Sequence, residues 1–337
     1  MVDIMGYGAC IPQYRIKGEE IARVWGGTPT VSEKAVPGPD EDATTIAIEA
    51  SRNALRRSEI DPSQLGAVFV GTESKPYAVK PTAVTVAEAL GATPDVSCAD
   101  FEFACAAGSQ AMRAGMAYVE GGMAQYALGV GADCSQASPG DDLDYTVGAG
   151  GAAYIVGNKG GLARIEGSCS WVTDTPDFWR RAHQRYPVHT YRFTGLAYFK
   201  HTTEAARTLM ERLGTEPHDY RYAVFHQPNV RFPQRAASQL GFSSEQVKPG
   251  LLSPVIGNAY AGSMLLGLTA VLDQAKEDDA ILAVSYGSGS GSDAFSIRAL
   301  EGIEEKRGLA HSTDWYVGKK EYIDYMTYLR FREGVRR

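Results

Sequence analysis

Cysteine is scarce in this chain and histidine almost as scarce: five and six of 337 residues. The cysteines (Cys10, Cys98, Cys105, Cys134 and Cys169) are odd in number and none form a C-x-x-C pair. That spacing suggests neither a disulfide framework nor a zinc ribbon, and it fits a reducing cytoplasm. No uninterrupted apolar run approaches the roughly 20 residues a membrane helix needs. The opening "MVDIMGYGACIPQYRI" has no basic stretch leading into a long apolar one, so no secretory signal is expected. Positive charge is not in excess either. Lys and Arg total 33 against 40 Asp and Glu, a net charge of −7, which excludes a protein that works by coating nucleic acid. An anionic substrate would need a local basic patch. The expectation is a soluble cytoplasmic protein that binds neither membrane nor nucleic acid, long enough for one large or two medium domains.

What is present is a pattern that occurs twice. "AAGSQAMRAGMAYVEGGMAQYALGVGADCS" (106–135) and "YAGSMLLGLTAVLDQAKEDDAILAVSYGSGS" (260–290) both open an apolar helical stretch with Ala-Gly-Ser, turn, and enter an apolar strand. Gly108 matches Gly262, Leu128 matches Leu282 and Val130 matches Val284 at one constant offset. Upstream, "GAVFVGTES" (66–74) and "YAVFHQPNV" (222–230) are short apolar strands breaking into polar loops. Each follows an amphipathic helix, in 43–60 and 202–214, and each precedes a helix ending in Leu-Gly, at Leu90-Gly91 and Leu240-Gly241. The unit helix, strand, helix, strand, helix, strand repeats. Apolar strands alternating with helices indicate an α/β fold of buried sheets with helices on their faces. Two halves are expected, 1–160 and 161–337, related by a pseudo-twofold that brings the strand ends to one centre.

At those strand ends and helix starts stand Glu73 and Cys105 in the first half, His226 and Asn258 in the second. Singly, they read as a solvated carboxylate, a small core residue, a core histidine and a turn former beside Gly257. Together, at equivalent places of a repeat, they read as a site. "FEFACAAGS" (101–109) puts Cys105 where a strand turns into a helix, and a helix N-terminus aided by an imidazole would lower its pKa and make a thiolate nucleophile for acyl transfer. The small residues after it leave room for an acyl group and N–H donors for an oxyanion. In "SYGSGSGSD" (285–293) the amides around Ser288 and Gly289 face the same centre. "VGAGGAAYIVG" (147–157) reads as close strand packing, and "DDLD" (141–144) as a capped turn, not a metal site.

The set "PGPDED" (37–42), "GTESKPYAVKPTA" (71–83), "FEFACAAG" (101–108), "ASPGDDLDYT" (137–146), "VFHQPN" (224–229), "GNAYAGS" (257–263) and "YGSGSGSDAF" (286–295) spans nearly the whole chain. It resembles the thiolase superfamily and, within it, the archaeal-type 3-hydroxy-3-methylglutaryl-CoA (HMG-CoA) synthases. That resemblance implies the duplicated, five-layered α-β-α-β-α thiolase fold. It also implies condensation of acetyl-CoA with acetoacetyl-CoA and water, in the mevalonate route to isoprenoids, with no permanently bound cofactor and no metal. Cys105 would carry the acetyl group, Glu73 would take a proton from its methyl, and His226 with Asn258 would polarise the ketone of acetoacetyl-CoA. The resemblance places Lys200, in "AYFK", at the CoA channel; Arg192, in the same basic stretch 180–201, is a second candidate. The ketoacyl-carrier-protein synthase III branch pairs Cys with His and Asn and relies on decarboxylation, so Glu73 separates the two. A different acyl acceptor, or a non-catalytic acyl-CoA scaffold, are the alternatives. A homodimer is implied, and an assembly with an acetoacetyl-CoA thiolase and a small bridging protein with an OB-fold. Segment 25–38 is shorter than in many relatives, and the tail 318–337 is basic and tyrosine-rich.

Overall fold

The computed structural model describes residues 1–134 and 137–332, and the backbone alone of Tyr191. Nine strands form one sheet: β1 (Val2–Cys10), β2 (Leu65–Gly71), β3 (Ser97–Phe101), β4 (Tyr126–Cys134), β5 (Ala149–Gly157), β6 (Ala163–Val172), β7 (Tyr222–Phe225), β8 (Ala280–Val284) and β9 (Gly291–Ala299). Their order across the sheet is β7-β8-β9-β6-β1-β5-β4-β2-β3. The halves meet where β1 pairs with β6 over only three residue pairs, Val2 to Ile4 against Ile165 to Ala163.

The repeat appears in the register. In the first half β2 and β4 run parallel, with Val68 beside Leu128 and Val70 beside Val130. In the second, β7 and β8 run parallel, with Ala223 beside Leu282 and Phe225 beside Val284. These strands are covered by α1 (Ala43–Ser58), α2 (Thr82–Leu90), α3 (Ala107–Glu120), α4 (Tyr191–Leu213), α5 (Arg231–Leu240) and α6 (Ser263–Leu272), while the C-terminal α7 (Tyr325–Phe331) packs away from them, beside the helix Gly18–Trp25. The outer layers are α1 with α2 on the first-half strands and α4 with α5 on the second; α3 and α6 lie in the centre. α1 starts at Asp42, whose carboxylate accepts from the Thr45 N–H at 2.9 Å, while its own N–H donates to the Thr45 hydroxyl. The Leu-Gly stops end α2 and α5 as expected: Gly91 and Gly241 cap them in the left-handed region, at φ 80° and 94°.

The matched glycines stand at close approaches of the two halves. A Cβ on Gly108 would come within 2.5 Å of the Ala261 carbonyl oxygen, and one on Gly262 within 2.6 Å of the Gly150 oxygen. Backbone meets backbone there, and no larger residue fits.

Three local expectations change. The strand of the Cys105 segment stops at Phe101, because Ala104 enters the left-handed region (φ 46°) and turns the chain before Cys105. The helix expected over 202–214 begins eleven residues earlier, at Tyr191, so Arg192 and Lys200 are helical surface residues of α4. Residues past β9 cross back to the first half: strand Glu321–Tyr322 pairs with Tyr14–Lys17, and Tyr325 and Tyr328 are buried there. The last five residues of the basic tail, 333–337, lie outside the described residues. No helix among the described residues is long and apolar enough to cross a membrane.

Candidate active site

Glu73 follows β2, and its loop is held by a carboxylate at the end of β4. Asp133, fully buried, accepts five hydrogen bonds: from the Thr72 hydroxyl (2.8 Å), the Glu73 N–H (2.8 Å), the Ser74 N–H (3.0 Å) and hydroxyl (2.6 Å), and the Ala261 N–H (2.8 Å). The last ties the Glu73 loop to the start of the second-half central helix. Burial pushes the Glu73 carboxyl up to about 8, and the nearby Asp133 carboxylate adds to this; a hydrogen bond from the Cys105 thiol pulls the other way. Its Oε1 is buried with no hydrogen-bond partner among the described residues.

Cys105 sits between the left-handed Ala104 and the first turn of α3, buried against Ala137, Val147 and Tyr260. The expected low-pKa thiolate is overturned. Burial raises the thiol well above its ordinary value, and the Glu73 and Asp133 carboxylates raise it further. The helix N-terminus does not outweigh two acidic neighbours and the loss of water. The donors after it also differ from expectation: the Ala106 and Ala107 N–H groups donate to the Phe103 and Ala104 carbonyls. The Cys105 N–H, by contrast, has no backbone acceptor among the described residues.

The glycine-rich loop after β8 lies directly over this turn. A Cβ on Gly287 would meet the Phe103 oxygen at 2.3 Å and the Ala106 nitrogen at 3.1 Å. Buried Asp177 holds the loop, accepting from the Tyr286 hydroxyl (2.9 Å) and the Gly289 N–H (2.8 Å). Gly289 takes φ 84° to make that turn. Its amide is therefore occupied, and the Gly291 and Ser290 amides return to Gly287. That leaves the Ser288 N–H without a backbone acceptor among the described residues; its hydroxyl bonds Tyr286.

His226 follows β7, as Glu73 follows β2. Its N–H donates to Val284 (2.8 Å), its carbonyl accepts from the Tyr198 hydroxyl (2.7 Å), and its ring lies among Tyr198 and Tyr286. Burial alone pushes the imidazole down to about 3, so it is neutral, and Nδ1 is buried without a partner among the described residues. Asn258 pairs with segment 146–148: its N–H donates to Thr146 (2.7 Å) and its carbonyl accepts from Gly148 (2.8 Å). Its Oδ1 takes the Tyr260 N–H at 3.0 Å. Val147, beside Asn258, packs on Cys105.

A cavity of about 590 Å³ opens at Glu73 and is lined by Ala104, Phe178, Tyr260, Lys75 and Arg180 among others. Neither Lys200 nor Arg192 lines it. The cations at its walls are Lys75, paired with Glu102 at 3.0 Å, and Arg180, which donates to the Glu73 carbonyl at 3.1 Å. Among the described residues no cluster of His, Cys, Asp or Glu is arranged to hold a metal, and Asp141 caps its turn by accepting from the Leu143 N–H. Sequence reasoning missed Asp133, Asp177, Tyr260 and Tyr286. A carboxylate ending the otherwise apolar "YALGVGADC" was a readable signal for the first; the others depend on which segments meet.

Comparison with known proteins bears on the fold and the family. Residues 210–299 match the family model for the C-terminal part of 3-oxoacyl-[acyl-carrier-protein] synthase III. Among solved structures the chain is similar to MvaS in complex with 3-hydroxy-3-methylglutaryl coenzyme A, at TM-score 0.88 and 22% identity over 98% of this chain and 91% of that one. It is also similar to 3-oxoacyl-[acyl-carrier-protein] synthase III from Aquifex aeolicus, at TM-score 0.80 and 22% identity over 88% and 100%. These likenesses establish the duplicated thiolase fold. The hydroxymethylglutaryl-CoA synthase of Thermococcus onnurineus is 59% identical over 98% of this chain and 96% of its own length. That of Methanothermobacter thermautotrophicus is 57% identical over 100% and 99%. Likeness of that degree along both whole chains assigns the family: this chain is a member of the hydroxymethylglutaryl-CoA synthases.

Proposed function

We propose that this protein condenses acetyl-CoA with acetoacetyl-CoA and water to HMG-CoA and CoA, through an acetyl group on Cys105. One observation carries the assignment of roles: a buried carboxyl, Glu73, with its pKa near 8, hydrogen-bonded to a buried thiol. In the ionised fraction of Glu73, Cys105 attacks the acetyl thioester as its proton passes to the Glu73 carboxylate, and the oxyanion is held by the Cys105 and Ser288 N–H groups. Once CoA has left with that proton, the Glu73 carboxylate is free to act as the base for the acetyl methyl, as a carbon acid requires. The carbanion attacks C3 of acetoacetyl-CoA, whose developing alkoxide takes a hydrogen bond from neutral His226, with Asn258 assisting. The proton that Glu73 took from the methyl passes to this alkoxide, and water then hydrolyses the Cys105 thioester, releasing HMG-CoA and restoring the thiol. A decarboxylating synthase has no use for a base at Glu73, nor has a scaffold.

Phosphates of CoA meet Lys75 and Arg180 at the cavity wall, and Lys200 and Arg192 at the exposed start of α4. The halves 1–160 and 161–337 divide the labour, base and nucleophile in the first and electrophilic support in the second. The protein acts in the cytoplasm, in the mevalonate pathway, as a homodimer in an assembly with an acetoacetyl-CoA thiolase and a small OB-fold bridging protein. The test is incubation with both thioesters, with products and protein analysed by mass spectrometry. HMG-CoA, together with an acetyl adduct on Cys105, is expected, and Cys105→Ala abolishes both. Acetylation without HMG-CoA, in the presence of the proposed partners, would overturn the condensation.

A further inference from the structure

Between the C-terminal helix and the site lies a buried polar cluster that the chemistry above does not use. Lys34 and Asp144 are almost wholly inaccessible and form an ion pair at 3.1 Å. Each oxygen of Asp144 also accepts from a tyrosine of α7: Oδ1 from Tyr328 at 2.7 Å and Oδ2 from Tyr325 at 2.6 Å. Lys34 donates in addition to the Asp144 carbonyl and to the Tyr328 hydroxyl (3.2 Å), and its ammonium lies 4.5 Å from the Tyr328 ring centre. The Trp25 indole N–H donates to Tyr325 at 2.8 Å and closes the cluster from the surface side.

The inner side of the cluster touches the site. Two residues past Asp144, Thr146 begins the segment that exchanges both backbone hydrogen bonds with Asn258 and places Val147 on Cys105. Lys34 packs on the opposite strand of this contact. Gly257, at φ 75°, approaches so closely that a Cβ there would lie 3.0 Å from the Lys34 Cβ and 2.8 Å from the Thr146 oxygen. Next to Lys34, the Ser32 N–H and hydroxyl both bond the Pro254 carbonyl. Lys34 thus stands between segments 144–148 and 253–258, its backbone on one and its ammonium on the other. Such a buried, fully paired network fixes geometry more than it adds stability.

We propose that Lys34 and Asp144, closed from outside by Tyr325 and Tyr328, form a clasp through which the C-terminal helix positions Asn258. Asp144 is then a positioning residue, acting through segment 146–148. Its effect on the reaction rests on the role given above to Asn258; its mechanical effect does not. The clasp should influence the condensation step and leave transfer of acetyl to Cys105 nearly alone.

The test uses the full chain with Tyr325→Phe and Tyr328→Phe combined, which removes two hydroxyls and little volume. Hydrogen exchange at the Gly148 and Asn258 amides should rise about tenfold, with the α3 amides of Ala111 and Met112 unchanged. Acetylation of Cys105 should stay within about twofold of the parent, while KM for acetoacetyl-CoA rises about fivefold or more. Unchanged exchange at both amides would overturn the clasp whatever the chemistry. Exchange rising equally in α3, or equal losses in both half-reactions, would make α7 a general brace and overturn it too. A parent protein that never acetylates Cys105 would sink the reaction assigned above, and exchange alone would then decide the clasp. Should the double variant unfold, Tyr328→Phe alone is read in the same way.

Discussion

Glu73 and His226 occupy the same place in the two halves, the loop after a short buried strand, yet burial acts on them in opposite directions. It raises the carboxyl to about 8 and lowers the imidazole to about 3. Both are therefore neutral in the resting site near pH 7, by the same cause. The difference lies in what surrounds them. Glu73 has a carboxylate at its back and a thiol in front, so its proton can move within the reach of ordinary pH. His226 has tyrosines around it and, among the described residues, no charge that favours an imidazolium. On the roles proposed above, the duplicated scaffold holds a proton carrier on one side of the centre and a fixed donor on the other.

Glu73→Gln breaks the comparison most. It keeps the shape and the neutrality of the resting residue and removes only the ability to accept a proton. The condensation rate should fall by about 10³-fold or more, within the span associated with loss of a general base. Acetylation of Cys105, which other routes for the thiol proton can support, should fall much less. Single-turnover measurement of each half-reaction checks this; equal losses would mean that Glu73 serves the thiol as much as the methyl, and a loss in acetylation alone that it serves only the thiol.

His226→Phe tests the other side. Removing the donor to the alkoxide should cost about 10²-fold in condensation, as for loss of one oxyanion donor. The pH profile should keep its shape, because a group titrating near 3 contributes no limb between pH 6 and 9. A limb that disappears with the histidine would show that the imidazole titrates after all.

The pH profile itself carries the third test. A base with its pKa raised to about 8 is unprotonated to only about one part in ten at pH 7, so the condensation rate should climb as pH passes through 8. The thiol and carboxyl are coupled, so the midpoint belongs to the pair. Asp133→Asn removes a charge that holds that midpoint up and should move it to lower pH. The rate above pH 9 should fall by about tenfold or less, because asparagine keeps one acceptor and leaves one of the donors from Thr72, Glu73, Ser74 or Ala261 unpaired. A midpoint that rises instead would mean that Asp133 is protonated in the parent.

How far this comparison could be read from the sequence depends on what kind of information each part needs. The duplication was legible because Gly108 and Gly262, and the apolar strands after them, answer to local rules of close approach and burial. The four candidate side chains could be singled out because the repeat put them in equivalent places. The thiol's pKa was not: a helix N-terminus is visible in "FACAAGS", but the carboxylates that outweigh it arrive from 73 and 133. The donor set was misread for a similar reason. Glycine-rich text shows that a loop can turn, and only the contact with Asp177 shows which amide the turn consumes. The length of α4 was missed because Gly195 and the basic, aromatic residues around it look like a loop, while Ala197 and Tyr198 are buried against the second half.

The smallest effect separates a backbone role from a side-chain role within that loop. If the Ser288 N–H holds the oxyanion, Ser288→Ala retains the donor and loses only a hydroxyl bonded to Tyr286. A single neutral hydrogen bond is worth about 1 kcal/mol, so acetylation should fall by about fivefold or less. Ser288→Pro removes the N–H itself and should cost about 10²-fold, the scale of one missing oxyanion donor. Proline also fixes φ, so the thermal midpoint of the variant must be measured beside its rate. A large loss on Ser288→Ala with an unchanged midpoint would move the role to the hydroxyl. The second half would then supply a side chain where its backbone now suffices, and the contrast with the titrating side chain of the first half would weaken.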